Sequence, residues 1–178
     1  MQNSANVNPR WWWAFVGAVL VIVLDQITKY IATAELLDGP VSVLPFLTFR
    51  YFCNTGAAFS ILQGYTHFLT FVGIAFVIYF SWEIWRLRRI QDPPVLFAIA
   101  LTLILAGAGG NLIDRATQGC VVDFIHVHYN PIGFNFPIFN IADSAVCIGA
   151  ASWILAAILH RERSDNKIAE DPDQTARP

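Results

Sequence analysis

The chain has 178 residues, of which 56% are hydrophobic and only 13% are Asp, Glu, Lys or Arg. Its mean hydropathy of +0.50 is too high for a soluble domain of this length and predicts several membrane spans. The net charge of −2 lacks the basic surplus typical of nucleic-acid binding, so we expect no nucleic-acid partner.

Four apolar segments are long enough to cross a hydrocarbon core of about 30 Å as helices. They cover residues 11–34, 67–85, 95–113 and 141–159. We therefore predict an all-α polytopic membrane protein in which residues 1–160 form one integral-membrane domain. The polar segment 161–178 is predicted to be a disordered tail.

The first span must be distinguished from a cleavable signal peptide. Arg10, the apolar run to Leu24 and the A-x-A sequence at 32–34 imitate the three regions of such a peptide. However, the apolar run stops at Asp25, and the A-x-A sequence follows about three helical turns later. We therefore expect the segment to be retained as a span.

Basic residues are concentrated on one side of the predicted spans. The loops 35–66 and 114–140 carry only Arg50 and Arg115. By the positive-inside rule both termini are cytoplasmic and these two loops face outward. The basic residues on the inner side are Arg10, Arg86, Arg88, Arg89, Arg161, Arg163 and Lys167.

The two outer loops contain segments typical of strands. Residues 41–52 and 120–129 are rich in β-branched and aromatic side chains, with Pro45 interrupting the first segment. Both faces of these segments are apolar. We predict a small extracytoplasmic β-sheet subdomain lying at the membrane surface.

The cysteines give no metal or disulfide signature. Cys53, Cys120 and Cys147 are an odd set without C-x-x-C spacing. We expect buried, inert thiols.

Polar side chains collect at the outer ends of three spans and in the outer loops. A charged side chain at bilayer depth costs about 2.5–3.5 kcal/mol, so such residues are rarely kept without a use. Because these residues all lie at a similar predicted depth, we expect a functional site near the outer interface. The residues are Asp25, Lys29, Asn54, Asn111, Asp114, Arg115, Asp123, Asn140 and Asp143.

Several of these residues also have a structural explanation. Asp25 and Lys29 have the i, i+4 spacing of a helical ion pair. Asn140 and Asp143 have the spacing of a capping box at the start of the fourth span. Asp123 lies between apolar neighbours, where a carboxylate needs a partner or a raised pKa.

Asp123 and Asp143 together fit aspartic proteolysis. Two carboxylates a few Å apart share a proton, so one can accept a proton from water while the other polarises a carbonyl. His126 and His128 form an H-x-H pair, but no H-E-x-x-H accompanies it and a strand turns Asp123 to the opposite face. We therefore predict no metal site, and Ser60 and Ser144 lack a nucleophile elbow.

Five motifs in order resemble the bacterial lipoprotein signal peptidases, or signal peptidase II. They are residues 25–29 (DQITK), 54–60 (NTGAAFS), 109–115 (GGNLIDR), 121–125 (VVDFI) and 139–144 (FNIADS). Each motif alone is weak, but five in order on the predicted outer side are specific. The resemblance covers residues 25–144, and the four-span topology extends it over most of the remainder.

The resemblance implies an aspartic endopeptidase of the bacterial cytoplasmic membrane, without a cofactor. Its substrates would be prolipoproteins carrying a diacylglyceryl group, cut just before the lipidated cysteine, and globomycin-type cyclic peptides would inhibit it. Asp123 and Asp143 would be catalytic, and Asp25, Lys29 and Asp114 structural. Residues that match the family's substrate site are Asn54, Gly56, Asn111, Arg115 and Asn140. Membrane lipids are further expected partners, and we expect a monomer.

Two other functions compete with this hypothesis. Intramembrane charges also occur in proton-coupled transporters, although a transport path needs polar groups at both membrane faces and the inner halves of these spans are nearly uncharged. A membrane assembly factor could use Gly107, Gly109 and Gly110 of the third span for close helix packing.

Overall fold

The computed structural model describes residues 11–57, 61–90 and 93–170, and side chains as far as residue 161. Arg10, residues 58–60 of the second motif, the side chains of Arg163 and Lys167 and the end of the tail, 171–178, lie outside what is described. The predictions resting on those parts therefore stay predictions.

Four long helices account for the predicted spans. They are α1 (Trp13–Glu35), α2 (Thr66–Arg86), α3 (Val95–Gln118) and α4 (Ile141–Glu170). Each is long and apolar enough to cross a membrane. Helix α3 extends five residues beyond the predicted end of the span, so Asp114 and Arg115 belong to the helix.

The prediction of a disordered tail is wrong for residues 161–170. Helix α4 continues without a break to Glu170. The segment contains no proline or glycine before Pro172 and includes the helix formers Arg, Glu, Lys and Ala, so nothing in its composition ends the helix at the membrane surface.

Helix α3 is the central helix of the bundle. Its most apolar window is 44% buried inside the protein, against 11–17% for the other three. The outer helices instead expose large apolar side chains such as Phe71 and Ile78, as expected of surfaces that face lipid.

Glycines let α3 approach α1 and α4 closely, as predicted. A Cβ atom at Gly107 would collide with the carbonyl oxygen of Ala142 and with the side chain of Val146. At Gly110 it would stand 2.5 Å from a carboxylate oxygen of Asp25. A larger residue at either position would force the helices apart.

A four-stranded antiparallel sheet lies at one end of the bundle. Its strands, in spatial order, are β1 (Val41–Leu44), β2 (Leu47–Asn54), β3 (Val121–Tyr129) and β4 (Phe134–Asn135). The predicted extended segments are confirmed, with Pro45 in the turn between β1 and β2. The two-residue strand β4 was not predicted.

Two local features place β3 beside the ends of the helices. Gly119, with φ of 77°, ends α3 in the left-handed conformation that glycine adopts without steric cost, and β3 begins two residues later. Phe124 of β3 then packs with Ala32 and Leu36 at the end of α1. Asp123 is consequently held over the ends of α1 and α4.

Candidate active site

The polar residues of the spans form two connected layers. The deeper layer is centred on Lys29, whose Nζ lies 2.8 Å from Asp25 Oδ2 and 2.8 Å from Asp114 Oδ2. Lys29 Nζ also donates to Asn111 Oδ1 at 3.0 Å. The side chains of all three charged residues are at most 3% exposed, so each charge depends on its partners.

The deeper layer connects α1, α3 and α4 to strand β3. Asp25 Oδ1 accepts the backbone N–H of Ala142 in α4 at 2.9 Å, and Asp114 Oδ2 accepts the N–H of Val122 in β3 at 3.1 Å. Gln26 donates to Asp114 Oδ1 at 2.9 Å. Gln26 lies within the first motif but was not predicted as a site residue, since a single amide gives no periodic or charge signal.

The second layer contains Asp123 and Asp143, joined through Asn140. The Nδ2 amide of Asn140 donates to Asp123 Oδ1 at 2.7 Å, and its backbone N–H donates to Asp143 Oδ2 at 3.2 Å. The backbone N–H of Asp143 returns a hydrogen bond of 2.8 Å to Asn140 Oδ1. The predicted capping box of α4 is therefore present, and the same asparagine contacts both carboxylates.

Two further asparagines complete the second layer. Asn54 donates to Asp123 Oδ2 at 2.9 Å, and Asn111 donates to Asp143 Oδ1 at 2.7 Å. Each of the four carboxylate oxygens thus accepts a hydrogen bond from an asparagine. Because Asn111 also accepts from Lys29, it connects the two layers.

The surroundings of Asp123 favour a shared proton. The residue is 1% exposed. Its burial first, and the nearby charge of Asp143 second, raise the pKa of its carboxyl to about 7, although the hydrogen bonds from Asn54 and Asn140 act in the opposite direction. A carboxyl that titrates near neutral pH can act as either an acid or a base.

Arg115 connects α3 to the segment that follows β2. Its Nη2 donates to the carbonyl oxygen of Gly56 at 2.8 Å, and the N–H of Gly56 donates to Asn54 Oδ1 at 2.9 Å. The Nε atom of Arg115 is buried without a hydrogen-bond partner in the described part of the chain. One donor of the guanidinium therefore remains for another acceptor.

The prediction of inert thiols is wrong for two of the three cysteines. Cys53 and Cys120 form a disulfide with a Cα–Cα distance of 5.5 Å. The antiparallel register sets Cys53 opposite Val122, which brings Cys120 within reach although 67 residues separate the two cysteines. Cys147 is free, but exposed rather than buried.

The alternative chemistries gain no support from the geometry. The ring centroids of His126 and His128 lie 4.8 Å apart with their planes tilted by 36°, and within the described residues no group of three or more His, Cys, Asp or Glu could hold a metal ion. Ser144 Oγ donates to the carbonyl oxygen of Asn140, one helical turn earlier, at 3.0 Å. Ser60 lies outside the described residues.

Comparison with known proteins identifies the family. Residues 17–159 match the family model of signal peptidase (SPase) II. The chain belongs to the signal peptidase II family. All five motifs and all residues of both layers lie inside the matched range, so the resemblance noted from the sequence is confirmed and the chain is a membrane peptidase by family.

Individual relatives extend the similarity. The lipoprotein signal peptidase of Acinetobacter baylyi is 48% identical over 136 residues, 74% of each chain. That of Polynucleobacter necessarius is 46% identical over 139 residues, 75% of this chain and 82% of the relative. A solved bacterial membrane enzyme superposes with a TM-score of 0.72 at 38% identity, covering 84% of this chain and 90% of that enzyme. This signal peptidase II thus shares both sequence and fold with membrane enzymes over most of its length.

Proposed function

We propose that this chain removes the signal peptide from diacylglyceryl-modified prolipoproteins, cutting just before the lipidated cysteine, with Asp123 and Asp143 as its catalytic dyad. The observation that carries the proposal is the position of Asn140, which donates a hydrogen bond to each carboxylate. Such fixed carboxylates at the outer ends of apolar helices match the depth of a scissile bond in a lipid-anchored precursor.

The dyad acts on the peptide bond through one water molecule. The ionised carboxylate accepts a proton from water as the oxygen attacks the scissile carbonyl carbon, and the protonated carboxyl gives its proton to the carbonyl oxygen. The carboxyl that took the proton from water then gives it to the leaving nitrogen, and the C–N bond breaks. The other carboxylate takes a proton back from one hydroxyl of the tetrahedral intermediate, which re-forms the carbonyl and restores the dyad. The pair titrates as a unit, so either aspartate can carry the proton in the resting enzyme.

The surrounding residues would bind the substrate backbone and hold the dyad. The unpaired Nε of Arg115 is available to a carbonyl of the signal peptide, next to the segment that contains Gly56. Asn54, Asn111 and Asn140 keep the carboxylates in place by the hydrogen bonds described above. The exposed apolar faces of the helices offer a surface for the diacylglyceryl chains, and a globomycin-type cyclic peptide would occupy the same site.

The proposed setting is the bacterial cytoplasmic membrane, with both termini inside and the sheet at the outer surface. Disulfides persist in oxidising compartments outside the cytoplasm, which supports an outer position for the Cys53–Cys120 bond. In the turn that follows α2, Arg88 lies 3.6 Å from the centre of the ring of Trp85, a pairing suited to the inner interface. No cofactor is required, and the protein would act as a monomer.

Product mapping tests this proposal. The purified protein is incubated with a prolipoprotein in its lipidated and unlipidated forms, with and without a chelator, and the products are sequenced by mass spectrometry. We expect a new N-terminus at the lipidated cysteine, no cleavage of the unlipidated form, and no effect of the chelator. Cleavage at another position, or loss of activity with the chelator, would contradict the assignment.

A further inference from the structure

A polar groove on the sheet lies apart from the carboxylate pair. It is a cavity of about 480 Å³ lined by Thr48 and Arg50 of β2, His126 and His128 of β3, and Asn130 and Asn135 beyond β3. His126 lies three residues past Asp123, about 10 Å along the strand. The asparagines that hold Asp123 and Asp143 do not line this groove.

The groove is arranged for an anion. Its lining contains one arginine and two histidines and no carboxylate. Arg50 is exposed and has neither an ion pair nor a hydrogen bond within the described chain. A guanidinium with all five donors unused, in a concave polar wall, fits the oxygens of a phosphate group.

The other polar side chains of the groove are already fixed. His126 Nε2 lies 2.6 Å from Asn135 Oδ1, and His128 Nε2 lies 2.9 Å from Thr48 Oγ1. These contacts hold both imidazole rings in place, so the groove exists before a ligand enters. A preformed site of this kind costs little ordering free energy on binding.

One rim of the groove is apolar. Phe134 belongs to its lining and is 46% exposed, and Ile132, next to the lining residue Gly133, is 75% exposed. A free inorganic anion gains nothing from such a rim, whereas an amphipathic molecule at a membrane surface matches both the charge and the apolar border.

We propose that this groove binds the headgroup phosphate of an anionic phospholipid. Arg50 contacts the phosphate oxygens, the histidine edges face the headgroup, and the apolar rim lies against the acyl chains. Because β3 carries both His126 and Asp123, a lipid bound here anchors to the bilayer the strand that holds the carboxylate. This site goes beyond the proposed cleavage reaction, and it can be tested without measuring cleavage.

Native mass spectrometry of the delipidated full-length protein in detergent provides the test. The protein is titrated with phosphatidylglycerol, with diacylglycerol of the same chains, and with inorganic phosphate. The variants are Arg50→Gln and, as a control of equal charge change, Arg88→Gln in the turn that follows α2. Arg50 makes no hydrogen bond and no ion pair within the described chain, so we expect its replacement to leave the fold intact.

We expect wild type and Arg88→Gln to bind one phosphatidylglycerol saturably, and Arg50→Gln to bind it about 10-fold or more weakly, the loss of a charge-assisted hydrogen bond. Diacylglycerol should bind all three proteins alike. Equal affinity of Arg50→Gln and wild type would overturn the proposal, as would an equal loss in Arg88→Gln. Inorganic phosphate that binds as tightly as the lipid would show a free-anion site instead.

Discussion

The buried Asp123 makes stability fall as pH rises. Its carboxyl has an ordinary pKa of 3.8 when unfolded and a pKa of about 7 when folded. Between these values the folded protein binds more protons than the unfolded chain, so each rise in pH favours unfolding. A pKa difference of about three units lowers the free energy of unfolding by about 4 kcal/mol once the pH exceeds 7. About 2–3 kcal/mol of this loss develops between pH 5 and pH 8.

Asp123→Asn removes this charge while keeping the shape of the side chain. The amide replaces one carboxylate oxygen, so the hydrogen bond from Asn54 or Asn140 is lost at every pH, a cost of about 1–3 kcal/mol. At pH 5 the variant should therefore be no more stable than wild type. At pH 8 the removal of the ionised carboxylate offsets the lost hydrogen bond.

Thermal unfolding in detergent, followed by the fluorescence of the six tryptophans, measures this effect at pH 5, 6, 7 and 8. The stability difference, variant minus wild type, should rise by about 2–3 kcal/mol from pH 5 to pH 8. Asp38→Asn, at an exposed position, is the control of equal charge change. A constant difference for Asp123→Asn, or one that falls with pH, would refute the raised pKa.

Three other perturbations have defined outcomes. Lys29→Met leaves two buried carboxylates without their cation and should lower the free energy of unfolding by about 3–5 kcal/mol. Adding Asp25→Asn and Asp114→Asn should recover part of that loss. If stability does not recover, the unpaired charges are not its cause. Gly107→Ala should destabilise by about 1–3 kcal/mol by thermal unfolding, because its methyl group meets backbone of α4; a neutral effect would contradict the close helix approach. Reducing the disulfide should cost about 2–4 kcal/mol, and Cys53→Ser should match the reduced protein and gain no further sensitivity to reductant.

The spans could be predicted from the sequence because a bilayer fixes the length of an apolar helix. The orientation of the spans then places Asp25, Asn111 and Asn140 at one depth, and the structure brings their side chains into two connected layers. The capping box of α4 was predictable because it depends only on a local spacing. The contact of the capping residue Asn140 with Asp123 was not predictable, because it depends on where β3 packs.

Features that depend on pairing between distant segments were beyond sequence reasoning. The disulfide requires the register between β2 and β3, which no cysteine spacing reveals. The sequence also does not show which carboxylate contacts which partner. Asp114 forms an ion pair with Lys29, and Asp143 accepts a hydrogen bond from Asn111, because of the way the packed helices are rotated about their axes. The continuation of α4 to Glu170 could not be predicted from polarity alone, because polar residues that favour helix occur both in disordered tails and in helices that extend beyond a membrane surface.

The most direct test of the catalytic dyad is a gel-shift cleavage assay on a diacylglyceryl-modified prolipoprotein in lipid. Wild type is compared with Asp123→Asn and Asp143→Asn, each first verified as folded by thermal unfolding. The dyad predicts that wild type cuts the precursor while both folded variants lose nearly all turnover. Normal cleavage by either folded variant would contradict the dyad, and a wild type that cuts nothing would contradict the proposed substrate.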